Sequence, residues 1–318
     1  SIDKLSDFEI LQVLGKSSLG FVAKVKSKKN LKIYAMKKND LSLIQDENLR
    51  KYYENEYIFM KKLEYPNICK LYNTFKERDI IYTIIEYMDN GDLFTFIKAN
   101  KKFGKRISED KLWNIFQQCL NGLVYIHSLG IIHRDIKPAN FFLNSEGQIK
   151  LSDFSVSTIE NIEKVNNFTK DIKKKEEIFN QMTEIGSGDF QAPEVKELSY
   201  DNKIDVYSMG ITFCSLAFYS TELPVEQYRD IYSKELIDII KKMINPNKKS
   251  RPSSKEIYDI FIKTYVEKYL HSTGLMSCFN CISLYNTFVD YFIKEGDNVG
   301  PLNEITFHCN LIIQSLIE

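Results

Sequence analysis

The stretch from Ile132 to Leu143 constrains this chain most, because it places three functional side chains in one short turn between two apolar runs. They are the carboxylic acid of Asp135, the ammonium group of Lys137 and the amide of Asn140. A carboxylate in such a turn can accept a proton from a hydroxyl nucleophile, an ammonium group can hold a phosphate, and an amide oxygen can bind a divalent cation. The turn therefore predicts a catalytic loop that handles phosphate.

The loop resembles the catalytic loop of the eukaryotic protein kinases, in which His-Arg-Asp is followed by Asn five residues after the Asp. The resemblance implies that Asp135 is the catalytic base, that Lys137 stabilises the transferred phosphoryl group, and that Asn140 is a metal ligand for Mg2+. It also implies an α+β class and a bilobal protein kinase fold. One lobe is then a small antiparallel β-sheet plus one helix, and the larger lobe is mainly helical.

The resemblance sets the expected domain boundaries. We expect the kinase domain at residues 8–266, with the small lobe at 8–87, the large lobe at 88–266 and a long activation segment at 153–194. Residues 267–318 then form a helical C-terminal extension.

The N-terminal residues 8–37 alternate apolar and polar side chains in three short runs, which predicts an antiparallel strand meander. The first turn, from Gly15 to Gly20, matches the glycine-rich loop of kinases except that Ser17 replaces the middle glycine. Glycines in such a loop let backbone N–H groups approach phosphate oxygens. A Walker A phosphate loop is the alternative for this Gly-Lys-Ser sequence, but we reject it because Ile10 stands where that motif needs its first glycine.

Lys37 ends the third run and matches the lysine that orients ATP in the family. Residues 46–63 have helical periodicity. Glu56 lies nine residues before Tyr65-Pro66-Asn67, which stands where many kinases have His-Pro-Asn, so the resemblance assigns Glu56 to the ion pair with Lys37. Glu54 is the competing candidate, two residues away and on a different face of the helix.

The resemblance further implies an ATP pocket between the sheet and the catalytic loop. Ile85 would guard the back of this pocket, the backbone of Glu86 to Met88 would bond adenine, and Asp92 would contact the ribose. The residues expected to bind the nucleotide are Leu14, Gly15, Gly20, Val22, Ala35, Lys37, Ile85, Glu86, Met88, Asp92, Phe142 and Asp153.

Asp153-Phe154-Ser155 stands where the family has Asp-Phe-Gly. The resemblance makes Asp153 a second metal ligand, so Asn140 and Asp153 together are expected to hold Mg2+. Ser155 lacks the backbone freedom of glycine, so we expect it to restrict how the Phe154 segment flips.

The activation segment ends in Ala192-Pro193-Glu194, which resembles the segment that positions peptide substrates in kinases. Thr183 lies where many kinases carry an activating phosphothreonine, and Arg134 is the residue expected to pair with it. An unmodified Thr183 is the alternative.

The nearly all-apolar run from Lys203 to Phe218 matches the buried central helix of the large lobe, with Asp205 as the expected anchor to the catalytic-loop backbone. Arg251 matches the family's partner for Glu194. Between Phe218 and the following apolar run the chain is short for this family, which leaves the usual docking helix in doubt.

The charge balance and hydropathy of the chain limit the classes of partner that we expect it to bind. Lys plus Arg total 43, as do Asp plus Glu, so we expect no nucleic-acid partner. No apolar run reaches the roughly 18 residues needed to cross a bilayer, so we expect no membrane partner. The chain begins with Ser rather than Met, which we expect of a trimmed chain. Cytoplasmic localisation follows as an expectation, with the nucleus also open.

The extension holds a cysteine pair, Cys278 and Cys281, and the adjacent His308 and Cys309. A zinc site is the alternative and is disfavoured, because adjacent His and Cys reach one tetrahedral site poorly and both pairs lie in apolar runs. We expect the extension to pack on the large lobe or to pair with a second copy, which gives a monomer or a homodimer.

The resemblance implies an ATP- and Mg2+-dependent serine/threonine protein kinase whose partner is a protein substrate. Lys137 and Ser187 indicate the serine/threonine type, Val156 favours threonine acceptors, and several motifs resemble the NimA-related kinases most. The alternative is a pseudokinase that works as a nucleotide-responsive binding or scaffold module, which Ser17 and Ser155 favour. A small-molecule kinase is disfavoured by the substrate-positioning segment at Glu194.

Overall fold

The computed structural model describes residues 4–45, 50, 60–61, 63–155, 157–159, 188–197, 201–223 and 231–272. It divides into two compact units. The first unit comprises Ser1–Phe96 and Gly130–Ser187, and the second comprises Ile97–Leu129 and Gly188–Glu318.

The first unit is built on a five-stranded antiparallel sheet, as the alternating runs predict. Its strands are β1 (Phe8–Ser17), β2 (Gly20–Ser27), β3 (Ile33–Asp40), β4 (Leu71–Glu77) and β5 (Ile80–Ile85), in the order β1-β2-β3-β5-β4. Since side chains alternate along a strand, one face of the sheet gathers an apolar cluster and the other face is left for a site. The members of the cluster are Phe8, Ala23, Val25, Tyr34, Met36, Phe75, Tyr82 and Ile84.

The predicted glycine-rich loop is a tight hairpin between β1 and β2. Ser17 pairs directly with Gly20 across a two-residue turn. A Cβ atom on Gly20 would collide with the backbone carbonyl oxygen of Lys38, whereas one on Gly15 would meet no atom within 4 Å. Gly20 is therefore required by the close approach of β2 and β3, a packing reason that is separate from phosphate binding.

Two short strand pairs frame the catalytic loop within the same unit. β6 (Ile131–Ile132) pairs with β9 (Thr158–Ile159), and β7 (Phe141–Leu143) pairs with β8 (Ile149–Leu151). The loop thus leaves one strand pair and enters the other, and Pro138–Asn140 forms a 3-10 turn at its end.

Helices dominate the second unit. They are α1 (Leu93–Lys102), which begins in the first unit, α2 (Glu109–Ser128), α3 (Lys203–Phe218), α4 (Lys234–Met243) and α5 (Ser254–Ser272). The sheet of the first unit and the helices of the second confirm the predicted α+β class.

The core of the second unit is aromatic. Phe116 of α2 lies 4.6 Å from Phe213 of α3 and 5.6 Å from Phe261 of α5, measured between ring centroids. Nearly every residue of α3 is buried, as the apolar run predicts for a central helix. Aromatic side chains provide large buried areas and favourable edge-to-face contacts, so they hold the three helices together.

The short connection between α3 and α4 is fixed by the start of α2. The backbone N–H and the hydroxyl of Ser233 both donate to the Glu109 carboxylate at 2.7 Å. Tyr232 donates to the carbonyl oxygen of Ile107 at 2.9 Å. These bonds anchor the end of a connection whose residues 224–230 lie outside the described part of the chain.

Among the described residues, none of the helices combines the length and the apolar character that a bilayer span requires. The predicted helical extension falls almost entirely on residues 273–318, outside the described part, as do the candidate zinc ligands Cys278, Cys281, His308 and Cys309.

Candidate active site

The three side chains predicted for the catalytic loop converge on the Asp135 carboxylate. Lys137 Nζ lies 2.7 Å from Asp135 Oδ2. The Asn140 amide nitrogen donates to the same oxygen at 2.9 Å and to the backbone carbonyl of Asp135 at 2.7 Å. The carboxylate is thereby held in one orientation while it stays partly accessible, as a general base must be.

Buried contacts hold the backbone of the loop. His133 is fully buried, its Nε2 lies 3.1 Å from the carbonyl oxygen of Ser152, and its ring packs edge-on against Phe154. Arg134 and Asp153 both have left-handed backbone angles, with φ of 67° and 62°. Such angles are strained in residues other than glycine and concentrate at functional sites.

Lys37 reaches the acid that follows β8. Its register opposite Val22 and Thr83 turns the side chain to the face of the sheet away from the apolar cluster. Lys37 Nζ lies 3.2 Å from Asp153 Oδ1. This contact places a cation and a carboxylate, both predicted to act on ATP phosphates or their metal, at the same point.

The Asp153 carboxylate is ionised at neutral pH. Burial by itself would raise its pKa, but the positive charge of Lys37 and hydrogen bonds from Ser155 and Lys37 together hold the pKa well below the usual value of 3.8. An ionised oxygen ligand is the form that binds Mg2+.

Lys37 and Asp153 stand at a cavity of about 280 Å³ within the first unit. Apart from Gly20, every residue predicted to bind nucleotide lines it, as does Asn140. Its lining residues are Leu14, Gly15, Val22, Ala35, Lys37, Met60, Cys69, Thr83, Ile85, Glu86, Tyr87, Met88, Asp92, Asn140, Phe142, Ser152 and Asp153.

Sequence reasoning missed four of the lining residues, Met60, Cys69, Thr83 and Ser152, whereas Tyr87 lies within the predicted hinge. Thr83 was within reach of a sequence argument, since it lies two residues before Ile85 on β5 and so shares its face. Cys69 was not, because it lies just before β4 and enters the cavity through the pairing of that segment with β8.

The Cys69 thiol is unreactive as a nucleophile at neutral pH. Burial, with the nearby negative charge of Glu86, raises its pKa to about 12. At neutral pH the residue is therefore an uncharged apolar wall of the cavity, because only a thiolate is a good nucleophile.

The segment that follows the predicted hinge is hydrogen-bonded to strand β7. The backbone N–H of Asn90 donates to the carbonyl oxygen of Leu143 at 3.0 Å, and the Leu143 N–H donates to that of Gly91 at 2.7 Å. Asp92, predicted to contact ribose, accepts from the N–H of Thr95 at 2.7 Å at the start of α1. Asp92 thus has a capping role in addition to its place on the cavity wall.

The residues present fit Mg2+. Asp153 and Asn140 line the same cavity, and both can supply oxygen. The Asn140 amide nitrogen is used in its bonds to Asp135, so the amide oxygen is the atom that can face a cation. Carboxylate and amide oxygens are the hard ligands that Mg2+ prefers.

Several predicted site residues lie outside the described part of the chain: Glu56, Glu54, Thr183, Ser187 and Val156. The ion pair of Glu56 with Lys37 and the phosphorylation of Thr183 therefore stay predictions.

In the second unit, the predicted partners Glu194 and Arg251 form a buried bidentate pair, with N–O distances of 2.6 and 3.1 Å. Asp205, predicted to anchor the catalytic loop, has its Oδ2 3.0 Å from Nε2 of His127. The other ring nitrogen of His127 lies 2.8 Å from the hydroxyl of Ser254. Sequence reasoning missed this cluster because its members come from three helices; the anchoring role of Asp205 toward the loop stays a prediction.

Comparison with known proteins gives a consistent result. A family model described as the protein kinase domain matches residues 8–261. Mitogen-activated protein kinase kinase 2 of Arabidopsis thaliana is 32% identical over 270 residues, which cover 83% of this chain and 68% of that protein.

Two further relatives are serine/threonine or Aurora kinases by name. The probable serine/threonine-protein kinase nek2 of Dictyostelium discoideum is 30% identical over 274 residues, covering 80% of this chain and 62% of that protein. The Aurora kinase of Eremothecium gossypii is 30% identical over 239 residues, covering 74% and 60%. The chain therefore spans between 60% and 68% of the length of these three relatives.

Proposed function

This chain belongs to the protein kinase family, and on that premise we propose that it is an ATP-dependent serine/threonine protein kinase. The observation that carries the proposal is the convergence of Lys137 and Asn140 on the Asp135 carboxylate, beside a cavity where Lys37 meets Asp153. A NimA-related kinase is among the relatives, in agreement with the narrower resemblance of the motifs.

In the proposed reaction, Asp135 orients the acceptor hydroxyl and takes its proton. The hydroxyl oxygen forms a bond to the γ-phosphorus as the bond from that phosphorus to the β–γ bridging oxygen breaks, and ADP leaves. Lys137, 2.7 Å from the Asp135 carboxylate, is placed to stabilise negative charge on the transferring group.

The nucleotide is held by the cavity. Val22, Ala35 and Phe142 supply apolar walls for adenine, and Lys37 supplies a positive charge for the phosphates. Asp153 and Asn140 would hold Mg2+, which neutralises charge on the β- and γ-phosphates when bound.

Specificity and regulation belong to the same proposal. The lysine two residues after Asp135, together with the names of the relatives, supports Ser and Thr as acceptors in a protein substrate. Phosphorylation of Thr183, recognised by Arg134, would order the activation segment through charge-assisted hydrogen bonds. The proposal also includes a cytoplasmic or nuclear location, and either a monomer or a homodimer formed through residues 267–318.

A pseudokinase is the second candidate, because Ser17 and Ser155 replace two glycines of the family pattern. In that case nucleotide binding changes the affinity for a partner protein and no phosphate is transferred.

Substituting Lys37→Met tests the proposal. Because Lys37 is the cavity lysine on β3 placed to hold the phosphates, we expect transfer of labelled γ-phosphate from Mg-ATP to a generic Ser/Thr protein substrate to fall by about 10²–10³-fold. Lys38→Met is the matched control, since the next residue on the strand lies over the Phe21 ring on the other face. Equal transfer by parent and Lys37→Met would contradict the assignment, and nucleotide binding without any transfer by the parent would favour the pseudokinase.

A further inference from the structure

One ion pair in the first unit joins two parts of the nucleotide site that are distant in sequence. Lys150 Nζ lies 2.7 Å from Glu86 Oε1 and 2.9 Å from Oε2, so the ammonium group spans both oxygens of the carboxylate. The two side chains are only 13% and 22% exposed. Removing one partner of such a pair costs more than removing one partner of a surface salt bridge, because the other charge is left partly buried and uncompensated.

Each partner lies beside residues that line the nucleotide cavity. Glu86 is the first residue of the predicted hinge and itself lines the cavity. Lys150 is the middle residue of β8, pairs with Phe142, and stands three residues before Asp153. The pair therefore links the end of the cavity predicted to bind adenine to the strand that carries the predicted metal ligand.

The Glu86 carboxylate is also tied to the segment before β4. Its Oε2 accepts from the N–H of Lys70 at 3.2 Å, and the Glu86 N–H donates to the Lys70 carbonyl oxygen at 2.9 Å. The same segment pairs with β8, because Cys69 N–H donates to the Leu151 carbonyl oxygen at 2.9 Å. The hinge, the segment before β4 and the β8 strand are thus joined by hydrogen bonds and one ion pair, with Glu86 at the centre.

We propose that Lys150 is a positioning residue for the nucleotide: by holding Glu86, it fixes the hinge relative to the β8 strand and so sets the spacing between the adenine and phosphate ends of the site. This inference rests on the proposed function of the cavity. Lys150 does not line the cavity, so it acts through Glu86. Preorganised contacts of this kind lower the cost of binding, because the site need not be ordered when the ligand arrives.

Methionine can replace Lys150 without overfilling the core. Lys150 and Glu86 line a second cavity of about 280 Å³ with Glu64, Tyr65 and Lys70. Lys150→Met keeps the length of the side chain and removes its charge, and Lys150→Arg keeps the charge. The matched control is Lys70→Met, which removes the exposed Lys70–Glu64 pair of 2.7 Å at the same cavity.

Calorimetric titration of the full chain with adenosine and with Mg-ATP tests the proposal, beside the KM for ATP and kcat. We expect Lys150→Met to weaken both ligands by about tenfold and to raise KM by the same factor, with kcat changed less than about threefold. Lys150→Arg and Lys70→Met are expected to stay within about twofold of the parent.

Parental affinity in Lys150→Met, or a loss of kcat with affinity unchanged, would overturn the inference while leaving the kinase proposal intact. A parent that binds neither ligand would overturn both. If Lys150→Met has a lower Tm than the parent, the double variant with Glu86→Lys and Lys150→Glu, which restores the ion pair in reverse, separates positioning from a general loss of stability. Tighter binding by the double variant than by either single variant supports the inference, and equal losses overturn it.

Discussion

Replacing Asp135 with Asn is expected to lower kcat for phosphoryl transfer by about 10²–10⁴-fold, the range for loss of a general base. The amide keeps the size of the carboxylate and can still accept from Asn140, so the loop should keep its conformation. Asp135 does not line the nucleotide cavity, so the Kd for Mg-ATP should change by less than about threefold. Transfer kinetics and calorimetry on the same preparations measure both quantities.

Asp79→Asn is the matched control for this experiment. Asp79 is exposed in the turn between β4 and β5 and has no role in the proposed reaction, so the same change there should leave kcat unaltered. Equal kcat values for Asp135→Asn and the parent would remove Asp135 from the mechanism.

Removing Arg251 from its buried pair with Glu194 is expected to destabilise the second unit. Arg251 is buried, donates to both oxygens of Glu194, and also donates to the carbonyl oxygens of Lys203 and Asn245 at 3.0 and 2.9 Å. Arg251→Met leaves the buried Glu194 carboxylate without this cation, so we expect a loss of about 3–5 kcal/mol in the free energy of unfolding. Denaturant titration followed by circular dichroism measures it.

The exposed pair Lys255–Asp259 on α5, at 3.3 Å, supplies the control. Lys255→Met should cost less than about 1 kcal/mol, since surface pairs are screened by solvent. A loss as small as this in Arg251→Met would contradict the expectation, because it would mean that Glu194 is not left as an uncompensated buried charge.

The parts of the site that lie close together in sequence were the ones that could be predicted. Asp135, Lys137 and Asn140 fall within six consecutive residues, so their combined chemistry can be inferred from the sequence before their geometry is known. The cavity wall was predicted from the family resemblance, and strand alternation gives the physical reason that Val22, Ala35 and Lys37 share one face of the sheet.

Long-range side-chain pairs outside the motifs of the family were not predictable. Glu86 and Lys150 are 64 positions apart, His127 and Asp205 are 78 apart, and Glu109 and Ser233 are 124 apart. Each residue taken alone has the pattern of a solvated charge or a helix-capping group. Only tertiary packing decides which of them meet, and periodicity within one element carries no information about partners in another.

Gly20 illustrates a different limit. The family resemblance assigns it to phosphate binding, whereas the fold requires it because β3 passes too close for a Cβ atom. One residue can satisfy both demands, and a motif alone does not separate them.

The central claim is tested most directly by phosphoamino-acid analysis of a generic protein substrate after incubation of the full chain with γ-labelled ATP and Mg2+. We expect label in phosphoserine or phosphothreonine, and we expect it to fall to background with Asp135→Asn. Label confined to phosphotyrosine would contradict the acceptor class. No label above the Asp135→Asn background, with Mg-ATP still bound, would contradict the kinase activity itself.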